Sequence, residues 1–264
     1  MFSQAQYEAV IREIESGVKT FERQLAQVIP AANSAVGHWY VPPAVAQGFT
    51  WIAEQTVEVG TAILNWFLDL LKGAVAPIFM FIDSWRWMDI KGKANGTAAD
   101  LSTQNLVVDD SDWSGKARDA YLAAAGAQST AAARVGSIAG NTSNALLGCA
   151  IAGLGFYVVL AGVLAKLIAA LAVSIAGMSS GIFTAPGIAL FLEEAGVNTA
   201  IIVGAVATLG AFLAAQASAM ITLHGDAVDP TSFPNGVWPT SNTGQYSDST
   251  VKDGDADWSL KTGP

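Results

Sequence analysis

The sequence predicts an all-α chain: an elongated helical bundle built on a helix-turn-helix hairpin with a Trp-Ser-Gly bend, plus a long apolar helical hairpin. Three observations predict it. An apolar stripe with alternating steps of four and three runs through the first 30 residues. The residues around Trp113-Ser114-Gly115 separate one helix-like segment from the next. From Ala145 to Leu223 the only charges are Lys166, Glu193 and Glu194. The composition agrees with this picture. Charged residues make up 13% of the chain, against about 25% in soluble globular domains, and the mean hydropathy is +0.40. That excludes a disordered chain and argues against an ordinary cytosolic enzyme. The net charge is −9 with no Lys/Arg cluster, so the electrostatic footprint of nucleic-acid binding is missing.

Residues 1–30 form the first predicted segment. Tyr7, Ile11, Ile14, Val18, Phe21, Leu25 and Val28 share one face of a helix over 5–29, a helix-packing stripe. Glu8, Arg12, Glu13, Glu15, Lys19, Glu22 and Arg23 fall outside it. Pro30 is expected to end the helix. Such a stripe requires a partner surface, in this chain or in another helical chain.

Residues 31–144 form the second segment. Trp39-Tyr40-Val41-Pro42-Pro43 is a connection. Residues 44–76 read as an apolar helix, interrupted at Pro77. Its stretch from Gly60 to Ile82 holds only Asp69 and Lys72 as charges, three apart and able to pair. It suits a buried or interfacial helix better than a spanning one, and Trp66, Trp85 and Trp87 suit a core or a membrane-interface belt. Residues 89–105 turn polar, as a solvent-facing helix would. The acids of the following loop, Asp109, Asp110 and Asp112, suit the positive end of the next helix. The turn is expected near 109–115. There Gly115 permits a tight backbone, Trp113 plugs the open end of the hairpin, and Ala117, Ala120, Tyr121 and Ala124 line one face for close helix approach.

Residues 145–223 form the third segment, an apolar helical hairpin. The runs 146–174 and 197–223 each reach the roughly 20 apolar residues that a membrane span needs. Pro186 and the Gly/Ser/Thr cluster at 177–187 separate them, with Glu193 and Glu194 near the tip. Gly148, Ala152, Gly153 and Gly155 favour close helix contact. Lys166 either snorkels or marks a shorter helix. Membrane insertion and burial in a protein core both remain open at this point. Residues 224–264 read as an acidic flexible tail.

Chemistry-bearing residues are few. Cys149, the one cysteine, lies in an apolar run and reads as a small buried hydrophobe. His38 and His224 are far apart and not in metal-ligand spacing. No catalytic residue, cofactor site or metal site is expected. The N-terminal residues carry neither a basic nor an apolar signal region, so export by a classical signal peptide is not expected.

The segment WSGKARDAY resembles the WxG helical hairpins of type VII (ESX) secretion, and the chain looks like the larger secretion-associated Esp-type proteins. The matching residues are Trp113, Gly115, Ala117, Ala120 and Tyr121, and the likeness covers about residues 84–144. The family's Y-x-x-x-D/E export signal is not found, since Tyr121, Tyr157 and Tyr246 are followed four later by Ala125, Ala161 and Thr250. The resemblance implies a non-enzymatic protein, secreted or held at the cell envelope. It would self-associate or pair with a helical partner, meet the type VII machinery and contact membrane through the apolar hairpin. A pore-forming effector and an integral membrane component with two spanning helices are the alternatives.

Overall fold

The computed structural model describes residues 4–39, 41–106, 108–109, 111, 113–179 and 185–241, the side chains of 185–189 excepted. Its regular elements are helical: α1 (Gln4–Val36), α2 (Pro43–Leu71), α3 (Ala76–Asp100), α4 (Thr103–Leu106), α5 (Lys116–Ser179) and α6 (Ala185–Ala227), then a 3-10 turn at Pro234–Gly236. No strand occurs among the described residues. The chain is an all-α helical bundle.

Two compact units form, and neither is continuous in sequence. The first combines residues up to Phe81 with Leu147–Gln216, the second Ile82–Leu146 with residues from Ala217 onward. The division is interleaved because α3, α5 and α6 each run from one unit into the other.

In the first unit, α1 buries Tyr7, Ile14, Val18, Phe21, Leu25 and Val28, and Ile11 packs half-buried against the same core. The stripe's partner surface is therefore inside this chain. Pro30, expected to stop α1, lies within it. Its ring removes one backbone donor and costs about 3 kcal/mol in a helix interior. Beyond it, buried Ala31, Ala32 and Ala35 keep the last turns docked. The prolines of the next helix are where theory puts them: Pro42 caps α2 and Pro43 opens it. Pro77 falls in the first turn of α3, where no intrahelical donor is lost.

α2 turns Phe49, Ala53, Thr56, Gly60, Ile63 and Phe67 inward at helical spacing and packs on α1. The pairing is antiparallel, with Leu25 against Gly60 and Tyr7 against Ala74. α5 runs parallel to α1: Tyr7 meets Tyr157, and Gly17 meets Leu164 and Ile168. α6 returns along α5, with Phe212 beside Gly148.

In the second unit, α3 and α5 pair antiparallel. The Ser143 hydroxyl donates to the Ser84 carbonyl at 2.7 Å, and the Ser129 hydroxyl to the Ala98 carbonyl at 2.7 Å. Between these contacts, Asn95 sits on Gly136 and the Lys91 stem on Gly140. The segment from 224, expected to be a flexible tail, begins as the end of α6. Through residue 241 it is held to α5: Gln128 Nε2 donates to the Pro239 carbonyl at 3.0 Å. The remainder of the predicted tail lies outside the described residues, as do Tyr40, Asp110, Asp112 and residues 180–184.

Candidate functional site

The Trp-Ser-Gly bend lies in the connection between the paired α3 and α5. Gly115 has φ +104°, a torsion that side chains on L-residues rarely adopt, so glycine is required there. The carbonyl of Asp109 accepts the Trp113 N–H at 3.0 Å, and a carboxylate oxygen of Asp109 accepts the Ser111 N–H at 3.3 Å. Arg118 reaches back from α5 to donate to the Val108 carbonyl at 3.1 Å. The connection is thus held by one backbone bond and by the side chains of Asp109 and Arg118.

Trp113 does not plug the hairpin. It is 41% exposed, with its ring tilted against Tyr121 at a centroid distance of 5.5 Å; Tyr121 is also 41% exposed. The expected close approach of helices does not occur at Ala117 and Ala120 either. Ala117 is half-buried and Ala120 exposed. The tight contact comes later along α5, at Gly136 and Gly140, where Asn95 and Lys91 of α3 lie against it. Trp113 and Tyr121 together form an exposed aromatic pair.

Apolar surface dominates elsewhere. Among the described residues, three helical stretches are long and apolar enough to cross a membrane: Pro43–Asp100, Lys116–Ser179 and Leu190–Ala227. The last two contain the runs read from sequence. The first contains the stretch judged a poor span, whose Lys72 and Asp69 do pair, at 2.6 Å.

α6 is the extreme case, with only 6% of its most apolar stretch buried. Phe191, Ala195, Asn198 and Ile202 face the core at spacings of four, three and four. Around the rest of the helix Val197, Ile201, Val203 and Val206 are exposed. A helix apolar all round belongs in a core or a bilayer. No part of this chain covers the outer side of α6 among the described residues. Lys166 is exposed on α5, and Glu194 accepts a hydrogen bond from Asn198 Nδ2 at 3.1 Å, within α6.

α1 gives the first unit a second kind of surface. Glu8 is half-buried and pairs with Arg12 at 3.7 Å. The six other charged residues of α1, from Arg12 to Arg23, are exposed. Three cations on that face, Arg12, Lys19 and Arg23, would together cost on the order of 8–10 kcal/mol at the centre of a bilayer. Beneath them Tyr7 donates to the Ala74 carbonyl at 2.6 Å, and burial, with Tyr157 beside it, pushes its phenol well above the ordinary range.

In the second unit the sequence concealed an ionic cluster. Arg134 Nη2 lies 2.7 Å from Asp226 and 3.8 Å from Asp229, with all three side chains about two-thirds covered. Asp229 also accepts the Thr231 backbone N–H at 3.0 Å and its hydroxyl at 2.8 Å. These bonds, the backbone one foremost, hold its carboxyl below the usual aspartate value, and Arg134 adds to the effect. Isolated charges 92 residues apart leave no local pattern in a sequence.

No group of three or more His, Cys, Asp or Glu residues could hold a metal ion among the described residues. Comparison with protein-family models, curated proteins and solved structures finds no match to this chain.

Proposed function

We propose that this chain is a non-enzymatic, type VII (ESX) secretion-associated helical protein that contacts a lipid bilayer through the α5–α6 hairpin and self-associates through helix faces. The observation that carries the reading is α6, whose branched aliphatic side chains Val197, Ile201, Val203 and Val206 are exposed around most of its circumference. Exposed contiguous apolar surface on this scale marks a membrane or protein contact. The α1 stripe is occupied by its own chain, so α6 is also the face left for a second copy.

The secretion half of the proposal rests on the resemblance around Trp113, Gly115 and Tyr121. The location of this bend between two antiparallel helices, and the glycine-only torsion at 115, support it. The implied partners are a helical chain or a second copy, the secretion machinery and lipid.

Cell fractionation tests both halves. The expected result is protein at the cell surface or in the culture filtrate, lost when the secretion ATPase is deleted. Protein that stays in the plasma membrane until detergent is added, whatever the state of that ATPase, would establish an integral membrane component instead.

A further inference from the structure

α1 lies along the hairpin with its apolar side down. Tyr7 meets Tyr157, Gly17 meets Leu164 and Ile168, and Phe21 meets Phe191 with ring centroids 6.0 Å apart. It therefore touches both α5 and α6, and it does so beside the middle of the apolar run of α5. Its other side carries Arg12, Glu13, Glu15, Lys19, Glu22 and Arg23, all exposed. These two surfaces make incompatible demands. α6 offers hydrocarbon to a bilayer, whereas α1, at the same level of the bundle, offers charges that a bilayer core rejects. The unit as folded can rest on a membrane but cannot sink into one.

We propose that α1 is a releasable cover, and that it leaves α5 before the hairpin enters lipid. This rests on the membrane-contact reading above. The chemistry of α1 suits the step. A helix with one continuous apolar stripe and a charged opposite face can lie in the headgroup region, stripe toward the acyl chains, and the polar face of α1 sets Arg12, Lys19 and Arg23 among four glutamates. The side chains that α1 withdraws from the protein core thus stay out of water. The surface freed on α5 includes Tyr157, Leu164 and Ile168, uncharged side chains that can face lipid.

A reversible staple tests this. A side-chain carbon at Gly17 would stand 3.3 Å from Leu164 Cγ, close enough for a disulfide between Gly17→Cys and Leu164→Cys. With that bond formed in the full-length chain, Cys149 is the remaining thiol and takes an environment-sensitive fluorophore on α5. The same labelled protein is then mixed, oxidised or reduced, with phosphatidylcholine–phosphatidylglycerol vesicles containing a doxyl-labelled lipid as quencher.

Both forms are expected to float with the vesicles, and the quenched fraction to be about tenfold larger in the reduced form. Equal quenching in the two forms, or a reduced form that floats unquenched, overturns the cover. Failure of both forms to float removes the membrane-contact reading itself, and the cover with it. A second variant works in the opposite direction. Phe21→Ala loosens α1 from Phe191 and is expected to speed quenching, and a slower rate counts against the proposal.

Discussion

Tyr7 and Tyr157 meet edge to face, with ring centroids 5.7 Å apart and planes at 87°. Tyr7 donates to the Ala74 carbonyl in the turn after α2 at 2.6 Å, and Tyr157 to the Leu70 carbonyl in the last turn of α2 at 2.8 Å. The pair ties α1 and α5 to the last turn of α2 and the turn that follows it.

Removing the Tyr7 hydroxyl leaves the Ala74 carbonyl unpaired in a buried place. Tyr7→Phe is therefore expected to lower stability by about 1–2 kcal/mol, read as a shift in denaturant midpoint with an unchanged slope. The raised phenol also predicts a pH effect. The unfolded chain ionises this tyrosine first, at about pH 10, so stability should be whole below that pH and fall as pH rises above it. Tyr7→Phe should remove that part of the alkaline loss.

Trp113→Ala should cost little. Its ring is partly solvated and its main contact is one neighbouring ring, worth about 0.5–1.5 kcal/mol, against 3–5 for a buried tryptophan. Thermal melting of the variant distinguishes these values. Gly115→Ala should cost at least as much, about 1–2 kcal/mol, since an alanine at φ +104° is strained.

Arg134→Ala leaves Asp226 and Asp229 facing each other without a cation. A double-mutant cycle with Asp226→Asn should give a coupling of about 1 kcal/mol, shrinking in high salt. Additive effects would mean the cluster adds nothing to stability.

Asp229 predicts an acid effect of defined sign. Its folded value lies below the unfolded one, so its contribution is complete above about pH 4 and disappears as pH falls through the lowered value. Removing the hydroxyl donor by Thr231→Val should raise the Asp229 midpoint in a carboxylate NMR titration. An unmoved midpoint would exclude the hydroxyl as a cause.

The parts of this architecture legible in sequence are those written at short range. The stripe from Tyr7 to Val28 and the two apolar runs are periodic or continuous, so they identify α1, α5 and α6. The bend at 109–115 shows because glycine and tryptophan punctuate it. Pro30 misled because a proline specifies the loss of one hydrogen bond but not whether the next turn is buried. Trp113 misled because size alone does not place a side chain inside. Arg134 with Asp226, and the meeting of Gly17 with Leu164, depend on which helices become neighbours, and no spacing within one helix encodes that.

The pairing of α1 with α5 also has a consequence for biosynthesis. α2 emerges soon after α1 and can meet Leu25 at Gly60, but Leu164 reaches Gly17 only after roughly 150 further residues, some 7–30 s of ribosome time. Through that interval the far side of the nascent first helix has no native mate. Whatever occupies it then, a chaperone or the cytoplasmic leaflet, has the first opportunity to decide where the newborn chain goes.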